Sequence, residues 1–133
     1  MTLPTPRAIL FDWDNTLVDT WPVIHQALNA TLSHMGHEPW PIERVKRDVK
    51  RSMRDSFPEL FGERWEEASQ RYQQDYRAIH LQALRPIPGA EEALKVLAGK
   101  DIFTALVSNK RGPSLRLECE ALGWQDYFRT AVG

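Results

Sequence analysis

The sequence predicts an α/β fold: a parallel sheet core interrupted by an all-helical insertion. Three observations predict it. A short unbroken apolar run, Ala8-Ile9-Leu10-Phe11, ends at Asp12, as expected of a strand buried on both faces of a parallel sheet. A second such run, Ile102 to Val107, ends at Ser108-Asn109-Lys110. Between about 20 and 84, apolar residues recur at three- and four-residue spacing with no strand signal, the pattern of helices.

Each element follows in order. The first helix carries Ile24, Ala27, Leu28, Thr31, Leu32 and Met35 on one face. Asp19 or Thr20 can cap its start, Pro22 suits its first turn and Gly36 its stop. Pro39 and Pro41 open a second helix, with Ile42, Val45, Val49 and Met53 as its inner stripe. A third carries Trp65, Ala68, Tyr72, Tyr76 and Ile79. Pro86-Ile87-Pro88-Gly89 reads as a rigid connection. Ala90 to Leu97 is a short helix stopped by Gly99. Gly112-Pro113 starts another, with Leu115, Cys119 and Leu122 inward and Gly123 as its stop. Thr130-Ala131-Val132 begins a third strand. The predicted organisation is a core of residues 1–18 and 85–133, with a helical insertion at 19–84.

Composition narrows the function. A chain of 133 residues accommodates one domain, or a small core with an insertion. A net charge of −1 gives no global case for nucleic acid or an anionic membrane as partner. The single cysteine, Cys119, excludes an intrachain disulfide and a cysteine-based zinc site. No stretch approaches the roughly 20 apolar residues of a spanning helix, and no N-terminal run reaches signal-peptide length. The expectation is a soluble, cytoplasmic protein. His25, His34, His37 and His80 lack metal-ligand spacing and read as surface or packing residues of the helical insertion. Trp21, Trp40 and Trp65 are expected to pack the same insertion.

The chemistry concentrates at Asp12-Trp13-Asp14-Asn15-Thr16. Two aspartates two apart, just past a buried strand, face the crevice where open α/β sheets bind ligands. One carboxylate there can attack phosphorus and form an aspartyl-phosphate. The other can serve as acid toward the leaving oxygen and then as base toward water. Clustered hard oxygens suit Mg²⁺.

Phe11-Asp12-Trp13-Asp14-Asn15-Thr16-Leu17-Val18 resembles the first signature motif of the haloacid dehalogenase-like (HAD) superfamily, D-x-D-x-T-(L/V). That resemblance implies an incomplete Rossmann-like core with a helical cap, and Mg²⁺-dependent phosphatase chemistry on a small phosphorylated metabolite. Asp12 is then the nucleophile and a metal ligand. Asp14 is the acid/base and a metal ligand through its main-chain carbonyl, and Thr16 steadies the loop. Asp14 also favours phosphate esters over the carbon–halogen and carbon–phosphorus branches, which lack this second aspartate. Asn15 stands where close relatives often carry glycine, and asparagine tolerates unusual backbone angles. Asp19 reads more readily as a helix cap than as a catalyst.

The resemblance continues at Val107-Ser108-Asn109, where the family places a Ser or Thr that binds the transferred phosphoryl group. Ser108 would bind through its hydroxyl and Asn109 through its main-chain N–H. Lys110 either adds charge to that phosphate pocket or is a solvated lysine at a helix start. Residues 19–84 resemble the cap of phosphoglycolate phosphatase-like and β-phosphoglucomutase-like members, and Pro86-Ile87-Pro88-Gly89-Ala90 matches the P-x-P-G-A exit common there. Arg44, Arg47, Arg51 and Arg54 fall near one helical face. They read as a solvated outer face, or alternatively as a surface attracting an anionic substrate.

The family's charge-balancing lysine and second acidic pair fall beyond the third strand in relatives, so this chain is expected to represent an N-terminal part. Without a further strand, Ala8 to Phe11 would present an unpaired apolar edge open to self-association. Besides a phosphatase, a mutase-type phosphotransferase and an inactive binding or interaction module stay open.

Overall fold

The computed structural model describes residues 3–49 and 53–133. Its elements in chain order are β1 (Ala8–Phe11), β2 (Val18–Asp19), α1 (Trp21–His34), α2 (Ile42–Asp48), α3 (Met53–Phe61), a 3₁₀ turn (Gly62–Arg64), α4 (Trp65–Ala83), β3 (Arg85–Pro86), α5 (Ala90–Ala98), β4 (Phe103–Val107), α6 (Gly112–Ala121), a second 3₁₀ turn (Gln125–Tyr127) and β5 (Thr130–Val132). The chain divides into two units, Met1–Asp19 with Leu84–Gly133, and Thr20–Ala83. None of the described helices is long and apolar enough to cross a membrane.

The first unit is a mixed α/β body around a parallel sheet of order β1-β4-β5. Ala8 pairs with Phe103 and Phe11 with Leu106, while Ala105 pairs with Thr130. A parallel pair needs a long crossover. The crossover from β4 to β5 contains α6, which returns the chain to the strand's starting end. Helix α6 ends in a Schellman motif: Trp124 N–H donates to the Cys119 carbonyl (3.0 Å) and Gly123 N–H to that of Glu120 (2.9 Å). Gly123 makes this turn possible with φ +72°, a region that side chains with a Cβ rarely adopt.

Strand β1 is not buried on both faces as its unbroken apolar run suggested. Ala8 and Leu10 are exposed while Ile9 and Phe11 are half-buried. Registered partners share a face, so Leu10, Phe103, Val107 and Val132 project from the same side and are exposed, while Leu10's own partner Ala105 on that side is buried. A continuous apolar run cannot report which of its faces is covered, because both faces are written in the same residues.

Two short strands were not foreseen. β2 and β3 form an antiparallel pair, Val18 with Pro86 and Asp19 with Arg85. Two-residue strands are too short to show alternation, and Pro86 hides one of them because proline is confined to strand edges.

The second unit is wholly helical in its described residues. Leu28, Leu32 and Met35 of the α1 region, Val45 of α2, Phe57 and Phe61 of α3 and Ala68 of α4 form its core. Trp21, Trp40, Trp65 and Tyr72 pack around it, partly buried. Thr20, not Asp19, is the N-cap of α1, and Pro22 sits in its first turn. The helix stops in a second Schellman motif, with His37 N–H on the Leu32 carbonyl (2.8 Å) and Gly36 at φ +81°.

The single helix predicted from Ile42 to Met53 is instead α2, ending at Asp48, with Met53 opening the separate helix α3. Helix α3 was not expected, its composition including Pro58. Its inward pair, Phe57 and Phe61, meets edge-on at 5.0 Å.

Candidate active site

The loop after β1 is built on Trp13. Its carbonyl accepts from Thr16 (3.2 Å), Leu17 (3.0 Å) and Val18 (3.4 Å), while Asn15 N–H donates to the Val18 carbonyl at 2.7 Å. This tight turn needs one left-handed residue, supplied by Asn15 at φ 58°, the sole non-glycine with positive φ among the described residues. Asparagine tolerates that region because its short polar side chain can bond locally.

The Trp13 indole is completely buried, meeting Trp124 edge-on at 5.8 Å. An apolar anchor between two aspartates leaves the flanking carboxylates at the surface: Asp12 is exposed and Asp14 half-buried. Asp12 Oδ1 accepts from the Trp13 main-chain N–H at 2.8 Å.

The loop after β4 leaves the carboxyl end of the neighbouring parallel strand. Ser108 N–H donates to the Val132 carbonyl at 2.9 Å. Ser108 Oγ in turn accepts from Lys110 N–H at 3.1 Å, a local turn that orients the Lys110 main chain. Asn109 is exposed.

The Lys110 side chain is nearly buried, and its ammonium lies 2.6 Å from Asp14 Oδ1 and 2.7 Å from Glu118 Oε1. The solvated-lysine reading is thereby overturned. The cause is a carboxylate on the following helix, Glu118, that no sequence motif marks.

Glu118 lies on α6, three residues from Leu115 and beside Cys119, both inward, and it is fully buried. Its Oε1 also accepts from the Trp13 indole Nε1 at 3.0 Å. Burial of a carboxylate is costly unless it is paired and hydrogen-bonded, and here it is both. The sequence did contain a signal, an acidic residue at a helical position whose neighbours one turn away are apolar. A second carboxylate, Glu91 of α5, takes the Trp124 indole N–H at 2.6 Å.

Asp12 and Asp14 offer the hard oxygens that Mg²⁺ takes. Among the described residues no group of three His, Cys, Asp or Glu converges to hold a metal ion. The residues present therefore fit part of a Mg²⁺ site.

Elsewhere, Cys119 is buried and its thiol is pushed up from 9.0 to about 11, first by burial and then by the charge of Glu120. In the helical unit the main chain of Trp40 is pinned by Asn29, which both accepts its N–H (2.8 Å) and donates to its carbonyl (2.9 Å), and by His25 on the same carbonyl (2.9 Å). His80 is buried and meets the Tyr76 ring at a tilt, 5.2 Å between centroids, and His37 meets Phe61 edge-on. Of the proposed basic face, Arg44 lies 4.0 Å over the Trp40 ring and bonds Asp48. Arg47 also bonds Asp48, which raises the Arg47 pKa through that hydrogen bond first. Arg51, and the side chain of Arg54, lie outside the described residues.

The chain is similar along its length to known proteins. It is 30% identical over 142 residues to the phosphoglycolate phosphatase of Chromobacterium violaceum, covering 100% of this chain and 64% of that protein. It is 31% identical to the phosphoglycolate phosphatase of Neisseria meningitidis, over 96% of this chain and 58% of that one. The chain thus spans about 60% of the length of such curated relatives. Its fold matches that of a putative phosphatase from Clostridium difficile with a TM-score of 0.87 at 19% identity, over 98% of this chain and 62% of that one. Residues 9–133 match the family model described as haloacid dehalogenase-like hydrolase, and the chain belongs to that family.

Proposed function

We propose that the protein containing this chain is a Mg²⁺-dependent phosphomonoester hydrolase, with 2-phosphoglycolate as the first substrate to test. The observation that carries the reading is the pair of aspartates at the carboxyl end of β1, with Asp14 gripped by the lysine that follows β4. The substrate choice is supported by the relatives named phosphoglycolate phosphatase.

In this reading an Asp12 carboxylate oxygen attacks phosphorus, and the bond to the leaving oxygen breaks. Asp14 delivers a proton to that oxygen. Water then attacks the aspartyl-phosphate while Asp14 takes its proton, releasing phosphate and restoring Asp12. Ser108 through its hydroxyl and Asn109 through its main-chain N–H donate to the phosphoryl oxygens, with Lys110 beside them. Asp12 through its carboxylate and Asp14 through its main-chain carbonyl would hold Mg²⁺, which when bound supplies positive charge against the phosphoryl oxygens. The helical unit, inserted in the chain directly after the two aspartates, acts as a substrate-selecting cap. The compartment is the cytoplasm.

The test is phosphate release from 2-phosphoglycolate by the natural gene product, with and without Mg²⁺. Release that needs Mg²⁺ and disappears in Asp12→Asn supports the hydrolase. An isomeric sugar phosphate in place of free phosphate would reassign it as a mutase.

A second copy of the chain is proposed as the partner of β1. Leu10 of β1 and Phe103, Val107 and Val132 on the same face of the sheet are exposed, and an open strand edge with an apolar flank invites pairing. Sedimentation of the 133-residue chain should show concentration-dependent self-association that Leu10→Lys reduces. A monomer at all concentrations removes the idea.

A further inference from the structure

Resting on the phosphatase reading of the same site, we propose that Glu118 and Lys110 form a positioning pair for Asp14. Glu118, held by the Trp13 indole, fixes the Lys110 ammonium so that it points a donor at the Asp14 carboxylate. The pair acts on the acid/base group, and Lys110 is not primarily a cation for the phosphate.

Three observations carry this. First, Lys110 Nζ makes two short contacts with carboxylates, 2.6 Å to Asp14 and 2.7 Å to Glu118. A flexible four-carbon stem gains such a fixed geometry only when both ends of its reach are held. Second, the two carboxylates differ in setting. The Asp14 side chain is 30% exposed and accessible to a reactant, whereas Glu118 is at 0% and is not. A fully buried carboxylate opposite a lysine neutralises it in place, so little of that lysine's charge remains for an incoming anion. What remains is direction, a hydrogen-bond donor aimed at Asp14. Third, Glu118 is itself fixed from the catalytic loop, since Trp13, the residue between the two aspartates, donates its indole N–H to the same Oε1 at 3.0 Å. Asp14, Lys110, Glu118 and Trp13 thus form a closed ring of contacts returning to the residue next to Asp14. Closed networks of this kind hold a reacting group to a narrow geometry, on which general acid catalysis depends steeply.

The experiment is steady-state kinetics of Glu118→Gln in the natural gene product, which keeps shape and an acceptor oxygen but removes the countercharge. The expected result is kcat lower by about tenfold with KM within about twofold, the signature of an interaction made mainly in the transition state. Unchanged kcat overturns the proposal, with or without a change in KM. A KM that falls while kcat holds would mark Lys110 as a phosphate-binding cation instead.

If Glu118→Gln fails to fold, the double variant Lys110→Met/Glu118→Gln removes both buried charges together. Its thermal midpoint should return toward wild type while kcat stays low. Recovery of kcat along with the midpoint would show a purely structural pair and overturn the proposal.

A readout independent of turnover separates this from the phosphatase reading. The ¹⁵N resonance of the Lys110 ammonium should be protected from exchange and should shift in both Asp14→Asn and Glu118→Gln. A wild-type protein that shows this coupling but releases no phosphate fails the phosphatase reading alone. A Lys110 ammonium indifferent to either variant fails the positioning pair.

Discussion

Lys110 Nζ lies 2.6 Å from Asp14 Oδ1, joining residues 96 positions apart in sequence. Parallel pairing of β1 with β4, Phe11 opposite Leu106, brings the two loops to the same edge of the sheet. Every chemical expectation for this chain rests on that register.

The proposed nucleophile, Asp12, is the first to test. Asp12 is exposed, and its carboxylate accepts locally from the next residue's main-chain N–H. Asp12→Asn should therefore leave circular dichroism and thermal midpoint nearly unchanged. Phosphate release by the full gene product should fall by about a thousandfold or more, as when a nucleophile is removed. Substantial residual turnover would move the nucleophile elsewhere.

Asn15 tests the loop's backbone. At φ 58° a glycine should be accepted with a change of only about a few tenths of a kcal/mol, whereas valine should cost roughly 1–2 kcal/mol. Urea denaturation measures both. A valine variant as stable as wild type would contradict the left-handed assignment.

Cys119 supplies a pH dependence. Burial, with a smaller contribution from Glu120, raises its thiol from 9.0 to about 11. In the unfolded chain the thiol ionises at the lower value, so from there upward the unfolded state binds fewer protons than the native one. The Cys119 contribution to stability is complete below pH 9.0 and is lost as pH rises through about 11. Denaturation of Cys119→Ser against wild type should converge over that window. Native Cys119 should also react slowly with thiol reagents near neutral pH, since the thiolate is the nucleophile. Fast labelling of the folded protein would contradict the burial.

The helical unit has its own core, and Leu32 is at its centre with 0% exposure. Leu32→Ala should cost about 2–5 kcal/mol through lost transfer energy and a residual cavity. Monitored by denaturation, a loss below about 1 kcal/mol would mean that the surrounding helices collapse onto the gap.

Local patterns carried much of this protein. Strands β1 and β4, helices α1, α5 and α6, and the glycine stops at Gly36 and Gly123 were legible because each is encoded within one short stretch by periodicity, capping or a left-handed turn. The candidate aspartates were legible as well, since two carboxylates at the end of an apolar strand are adjacent in sequence. The two-residue pair β2–β3 was not, being shorter than any period. Nor was the break between α2 and α3, because Val49 and Met53 continue the spacing of one helix across a point where the chain leaves it.

The sequence by itself determined which residues could do chemistry and at which strand ends they stand. Only the tertiary structure decided that Lys110 is nearly buried against Asp14, that Glu118 is its buried partner, and that β1 covers one face and opens the other. The physical reason is range. Periodicity and capping act over a few residues, whereas the partners a buried lysine meets depend on strand register, which brings Asp14 from 96 positions away, and on helix packing, which buries Glu118.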